Sequence, residues 1–490
     1  MQMEDLIELA KRVQAQQAEA QTIEVKAAHR GCPSKLRDTL SSFSNQNSGG
    51  ILLFGLDENE HFTAVGVYDL QDLQKKVTEQ CNQMQPPVRA LFTTAEYEGV
   101  WICSAEIPSI AYAERPCYYI GAGIQNGSYV RVGDADRHMT DYEIYCFEAY
   151  RNHMHDDERV IERATIGFLD KDLLNAFLTE RRISRPQFAQ MNDTQAMEML
   201  SITRNGVPTI AGLLNFCVYP QGFLPELGIT GTEIGDTADS GARFLDNKRM
   251  EGTIANMFSE AMAFCMRNMK PATIIDPETG KRCDKTEYPV SAIREAVLNA
   301  LIHRDYSIYT EGTPIQIDFF SDRLEIHSPG SLYGRMSVED LGFAHPDARN
   351  PVLAVMTESL TDAEHRYSGI PTMRRAMQEA GLPAPVFINR QNEFVVVLYN
   401  HQIEPENSVN PGHAADKIAA LLQFCRTPPD RRQPASRCKL LRQNKLFVII
   451  IYPHIAVNRL IVKFRFHRSH SWNFKNVKVK CLFLQEKTDF

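Results

Sequence analysis

The sequence predicts an α+β chain, and three patterns carry that prediction. Strand-like alternation broken by helical periods fills the first 150 residues, an apolar helix runs into a β-hairpin between residues 294 and 330, and a glycine opens another helical segment at residue 369. The chain has 490 residues, 43% hydrophobic and 23% charged, which is room for about three domains of ordinary globular composition. No charged-then-apolar leader opens it, and no apolar run approaches the roughly 20 residues that span a bilayer. A cytoplasmic protein without membrane contact is therefore expected. The 11 cysteines, Cys32, Cys81, Cys103, Cys217 and Cys283 among them, form no Cys-x-x-Cys pair, which speaks for reduced thiols rather than disulfides or a zinc ribbon.

In chain order, residues 6–20 have helical spacing and residues 22–26 alternate as a strand, which puts Glu24 and Lys26 on one face. Ser34 is placed to cap a helix whose Leu36, Leu40 and Phe43 recur at i, i+4 and i+7 before Ser48-Gly49-Gly50 stops it. A strand at 51–56 ends at Asp57. A hairpin over 59–67, a helix over 70–84 and strands near 90–95 and 100–107 follow, and residues 128–133 close the unit. Helical spacing returns near 168–181 and 195–200, an apolar strand-like stretch covers 209–218, and an amphipathic helix covers 253–266.

Residues 294–306 say most about function. Glu295 and Asn299 stand four residues apart on an otherwise apolar helix and so share one face. A Glu that orients or deprotonates a water, one turn from an Asn that holds Mg²⁺ beside phosphates, makes a compact ATP site. Residues 314–320 and 324–330 then read as two strands around a Ser321-Asp322-Arg323 turn, ending at Gly330. Beyond them Tyr367-Ser368-Gly369-Ile370-Pro371 opens a helix whose free N–H groups suit a phosphate.

This ordered set, with Gly381-Leu382-Pro383-Ala384-Pro385-Val386-Phe387 after it, resembles the ATP-binding fold of histidine kinases and gyrase (GHKL), in the divergent form of bacterial Schlafen-like regulators and of the terminal part of RecG-like helicases. The resemblance implies ATP with Mg²⁺ as ligand, Glu295 as water-activating group, Asn299 as Mg²⁺ ligand, and Ser328, Gly330, Ser368 and Gly369 as walls of the nucleotide site. Ser328 stands where hydrolysing members carry an adenine-reading Asp, and Tyr367 where a glycine is common. Binding is therefore implied more strongly than hydrolysis.

The first 150 residues carry a second resemblance. Ile23-Glu24-Val25-Lys26, then Phe43-x-Asn45 before Gly49-Gly50-Ile51-Leu52-Leu53-Phe54-Gly55, then Tyr129-Val130-Arg131-x-Gly133, looks like the AlbA-type domain of the Schlafen family. It implies a nucleic-acid partner, DNA rather than RNA, with Lys26, Asn45 and Arg131 as contacts. Schlafens that cut RNA use three carboxylates, and Glu19, Glu24 and Asp57 fall at similar places. A metal-dependent endonuclease is thus the alternative function.

The expected architecture is an AlbA-type Schlafen domain (1–150), a helical and strand middle region packing onto the next domain (155–285), a GHKL-like α/β sandwich (286–403), and a degenerate tail (414–490). The tail differs in charge: residues 431–490 hold 14 Lys and Arg against 2 Asp and Glu, while the rest of the chain carries net −20. It reads either as a basic, aromatic arm for nucleic acid or as a stretch in a shifted frame, after a winged-helix start at 416–428. His153-x-His155 is a weak metal motif, and Gly280-Lys281 lacks the glycine spacing of a P-loop. The oligomeric state stays open, a homo-oligomer among the alternatives. The expected role is a transcriptional regulator for which ATP is a conformational ligand.

Overall fold

Residues 1–235, 244–275, 282–345, 347–361 and 369–401 are described by a computed structural model, with backbone alone for 271–275 and 282–285. They fall within one compact unit, Met1–Ile403. The tail expectations, Tyr367, Ser368 and the Gly280-Lys281 pair lie outside the described residues.

The head is built on β1 (Ile23–Lys26), β2 (Gly50–Phe54), β3 (Leu91–Tyr97) and β4 (Val100–Ile107), in the order β1-β2-β4-β3. β1 and β2 run parallel; the other pairs are antiparallel. The apolar run of β2 is uninterrupted because both faces of the sheet are covered. On one side α1 (Met3–Gln16) buries Leu6, Leu9, Ala10 and Val13 against Leu53 and Ile102. On the other, α2 (Arg37–Asn45) and α3 (Leu70–Cys81) bury Leu40, Phe43, Leu73 and Val77 against Leu52 and Phe54.

Ser34 does not cap α2. The N-cap is Leu36, which makes no side-chain cap bond; its own N–H donates to Gln80 Oε1 on α3 at 3.0 Å, a long-range partner invisible to a local motif. The Gly49-Gly50 stop has two separate causes. Gly49 takes φ +64°, and a Cβ on Gly50 would run into the Phe43 ring. A hairpin of β5 (Tyr129–Val132) and β6 (Ala135–His138) packs beside α2 and leads into α4 (Asp141–Arg151), whose N-cap Thr140 and N3 Glu143 form a capping box.

Between α4 and the second sheet lie α5 (Lys171–Ser184) and α6 (Ile210–Phe216). The strand-like reading of 209–218 is corrected here: the segment is a helix. All seven α6 residues are buried, Thr209 Oγ1 accepts from Gly212 N at 3.0 Å as its cap, and Gly212 packs against the Ile202 carbonyl. An all-round apolar run is what a fully buried helix and a fully buried strand both look like.

The second sheet has six strands in the order β8-β7-β9-β10-β12-β11, built from β7 (Ile229–Ile234), β8 (Phe244–Met250), β9 (Ile315–Phe319), β10 (Arg323–Pro329), β11 (Val386–Asn389) and β12 (Glu393–Tyr399). Only β7 and β9 pair in parallel. One face carries α7 (Ile254–Asn268) and α8 (Val290–His303), with α9 (Pro351–Thr361) and α10 (Gly369–Glu379) packed around α8. Eight residues of α8, from Ala292 to Ile302, are buried, because the helix is wedged between sheet and neighbouring helices. A helix layer on a mixed sheet behind an α/β head is the α+β fold class expected. Among the described residues, no helix is long and apolar enough to cross a membrane.

Candidate nucleotide cavity and head network

A cavity of about 330 Å³ opens between α8, the edge of β10 and β12, the irregular segment 331–349 and the start of α10. Leu298, Ile326, Met373, Phe394 and Val396 supply an apolar floor, and Glu295, Asn299 and Ser328 supply polar groups. That size and mix suit a small flat ligand held by a few directed bonds. Glu295 and Asn299 lie one turn apart and converge on the first residue of α10. A Cβ built on Gly369 would sit 2.9 Å from Glu295 Oε2 and 3.0 Å from Asn299 Nδ2. A side chain at 369 would have to push these two groups aside. Oxygen donors of this kind suit a hard cation that keeps most of its waters and takes its remaining ligands from phosphate.

Ser328 Oγ donates to the Ala300 carbonyl at 3.2 Å, which ties β10 to α8 at the cavity. Gly330 takes φ +99°, where a Cβ would collide with Asp305 and Arg349. Beneath this turn is a buried pair that the sequence reading did not find. Arg349 Nη1 lies 3.2 Å from Asp305 Oδ2, Arg349 Nη2 donates to Ser331 O at 2.7 Å, and the Tyr142 hydroxyl donates to Asp305 Oδ2 at 2.6 Å. Burial works to raise the Asp305 carboxyl, but Arg349, Tyr142 and the Ser307 N–H hold it below the usual carboxylate range. Arg304 is also buried and donates to the carbonyls of Asp305, Thr310 and Thr313. Arg304 and Asp305 therefore organise the end of α8, and the Asp305 partners Tyr142 and Arg349 are too far along the chain for a local signal.

In the head, Arg131 is the hub. Its side chain is 1% exposed, with Glu24 Oε2 at 2.8 Å, Asp136 Oδ1 at 3.1 Å and Glu19 Oε2 at 3.6 Å. Lys26 pairs with Glu24, as their shared strand face predicts. Asn45 is 5% exposed; its amide donates to the carbonyls of Cys117 (2.9 Å) and Tyr129 (3.1 Å), and its oxygen accepts from Cys117 N at 2.7 Å. Asn45 and Arg131 thus act inside the fold, tying α2 to β5 and to the loop at residue 117.

The three carboxylates assigned to the endonuclease alternative are not equivalent. Glu19 and Glu24 meet at the Arg131 guanidinium. Asp57 instead caps a short turn, accepting from Asn59 N at 3.0 Å. Burial pushes the Glu19 carboxyl up to about 7; Glu24 and Glu58 add to this, and the Val25 N–H at 2.7 Å opposes it. Among the described residues, no group of three His, Cys, Asp or Glu side chains is placed to hold a metal ion. His155 of the His-x-His motif bonds the Arg349 carbonyl through Nδ1 at 2.9 Å.

A glutamate and asparagine pair thus stands over an apolar cavity, in a helix layer on a mixed sheet. Comparison with known proteins gives the two parts their families. Residues 312–398 match the family described as "Putative ATP-dependent DNA helicase recG C-terminal", and residues 19–140 match "Schlafen, AlbA_2". The architecture is therefore a Schlafen AlbA_2 domain followed by a RecG-type C-terminal ATPase domain. No curated protein matches the chain. Among solved structures, the DIP2311 protein from Corynebacterium diphtheriae is 19% identical, covering 82% of this chain and 81% of its own, with a TM-score of 0.39. The N-terminal domain of a "Putative ATP-dependent DNA Helicase RecG-related Protein" from Nitrosomonas europaea is 23% identical, covering 28% of this chain and 93% of its own, with a TM-score of 0.23.

Proposed function

We propose that this chain is a cytoplasmic, nucleotide-responsive regulator that binds nucleic acid, DNA before RNA, through its head, and that Mg²⁺·ATP is its conformational ligand. The observation that carries the reading is the meeting of Glu295 and Asn299 with the Gly369 backbone at the mouth of an apolar cavity. In this reading Asn299 ligates Mg²⁺, Glu295 orients water against it, the α10 N-terminus faces phosphate, and the floor around Ile326 and Val396 takes the base. ATP acts by binding one arrangement of the chain better than another. Because Ser328 and Tyr367 depart from the pattern of hydrolysing members, hydrolysis is secondary to binding in this reading. Support for the nucleic-acid partner comes from the AlbA_2 match.

Calorimetric titration of Mg²⁺·ATP into the full chain and into Asn299→Ala tests this. Saturable binding that weakens at least about tenfold in the variant supports the reading, since Mg²⁺-linked phosphate contacts are charge-assisted. Absence of heat with either protein refutes it. The endonuclease alternative needs Arg131 to leave Glu19 and Glu24 before a cation could take its place.

A further inference from the structure

We propose that Tyr150, on the helix joining head to ATPase-type domain, couples occupancy of the cavity to the head, acting as a positioning residue for the cavity wall. The inference rests on the nucleotide reading above and adds the route of its regulation.

Three tyrosines of α4 each donate a hydroxyl to a carboxylate: Tyr142 to Asp305 at 2.6 Å, Tyr145 to Asp156 at 2.7 Å and Tyr150 to Asp347 at 3.1 Å. The first two anchor the helix. Asp305 is buried beneath the glycine turn, and Asp156 belongs to the turn that follows α4. The third differs, because Asp347 and Tyr333 line the cavity itself. The Tyr150 ring lies 5.6 Å from the Tyr333 ring at a 60° angle, and a Cβ built on Gly334 would come within 2.9 Å of Tyr150 Cε2. On its other side Tyr150 meets Tyr112 edge-on, with centroids 4.8 Å apart. Tyr112 belongs to the head, where it packs on Phe147 and lies under Arg115. Arg115 in turn bonds Asn47 Oδ1 at 2.8 Å and the Gln46 carbonyl at 3.3 Å, at the end of α2.

One side chain therefore touches a cavity wall and a head residue at once. The described residues of segment 331–349 form turns but no helix or strand, and the chain bends at Gly334 (φ +68°) and Gly342 (φ +84°). Asp347 is clamped by Arg335 through its N–H, Nε and Nη2 as well as by Tyr150, so shifting the segment means changing that set. A ligand that presses on Tyr333 or Asp347 displaces Tyr150, and Tyr150 displaces Tyr112. Coupling of this kind is reciprocal: a change at the head alters affinity in the cavity by the same factor.

The test measures Mg²⁺·ATP affinity by calorimetry in the full chain, in Tyr150→Phe and in Tyr112→Ala, with amide exchange of peptides covering residues 109–116 with and without Mg²⁺·ATP. Tyr150→Phe keeps the ring and removes only the hydroxyl, and an affinity loss of about fivefold is expected, the low end of measured couplings. Tyr112→Ala, which does not line the cavity, is expected to shift affinity at least about threefold. Exchange at 109–116 should respond to Mg²⁺·ATP in the wild type and not in Tyr150→Phe. If the wild type binds while Tyr112→Ala keeps its affinity and exchange at 109–116 ignores nucleotide, the coupling is overturned, even if Tyr150→Phe binds weakly. If the wild type does not bind, the nucleotide reading fails and takes this inference with it.

Discussion

Glu19 gives the head a stability that falls as pH rises. Its carboxyl sits near 7 in the folded chain against an ordinary value of 4.5, with burial as the main cause and Glu24 beside it. The folded state therefore holds the proton more tightly than the unfolded state between those two values. The stabilisation is complete below about pH 4.5 and is lost as pH rises through about 7. A shift of this size is worth up to about 3 kcal/mol. Glu19→Gln removes the titrating group while its amide oxygen can still accept from Val25 N. The folded value near 7 already contains whatever the Arg131 guanidinium at 3.6 Å contributes to the ionised form. Between pH 5 and pH 8 the variant should thus gain roughly 2 kcal/mol on the wild type. The assay is urea unfolding followed by Trp101 on β4. The chain has two tryptophans, so a Trp472→Phe background makes Trp101 the sole reporter. The difference between wild type and variant is taken at pH 5, 6.5 and 8, so that titrating groups remote from Glu19 cancel. A difference that does not change with pH, or one that grows in favour of the wild type toward pH 8, would refute the reasoning.

Gly369→Ala places a methyl against Glu295 and Asn299 and should weaken Mg²⁺·ATP by roughly tenfold, with little change in melting temperature; unchanged affinity by calorimetry would show that the α10 start does not form the site. Arg349→Ala leaves the Asp305 carboxylate buried against Tyr142 and should cost about 3–5 kcal/mol, read as a fall in melting temperature; the change should be small if Asp305 simply takes up its proton. Asn45→Ala strands the Cys117 N–H and two carbonyls in the head, and a loss of about 2–3 kcal/mol is expected in thermal unfolding. Its DNA affinity, measured on the folded fraction, should match wild type if Asn45 is internal to the fold as its burial indicates.

Much of the fold was legible because it is written in short-range periodicity. The alternation of β9 and β10 and the i, i+4 apolar spacing of α2 follow from side chains that must reach one covered face. The Glu295 and Asn299 pair was legible for the same reason: four residues along a helix is also one turn in space. Segment 209–218 was misread because a run buried on every side carries no period, and α2's cap was misplaced because the true partner, Gln80, is 44 residues away.

By itself, the sequence determined the α+β class, the two families its segments resemble, and the helix face on which the cavity's polar pair stands, since each depends on neighbours within a few residues. Only the tertiary structure decided what those groups do. It spent Arg131 on three carboxylates and Asn45 on backbone, set Gly369 against Glu295, and placed Tyr150 between the head and the cavity wall. The physical reason is that desolvation and ion pairing depend on which distant groups are brought into one low-dielectric volume, and separation along the chain does not encode that distance.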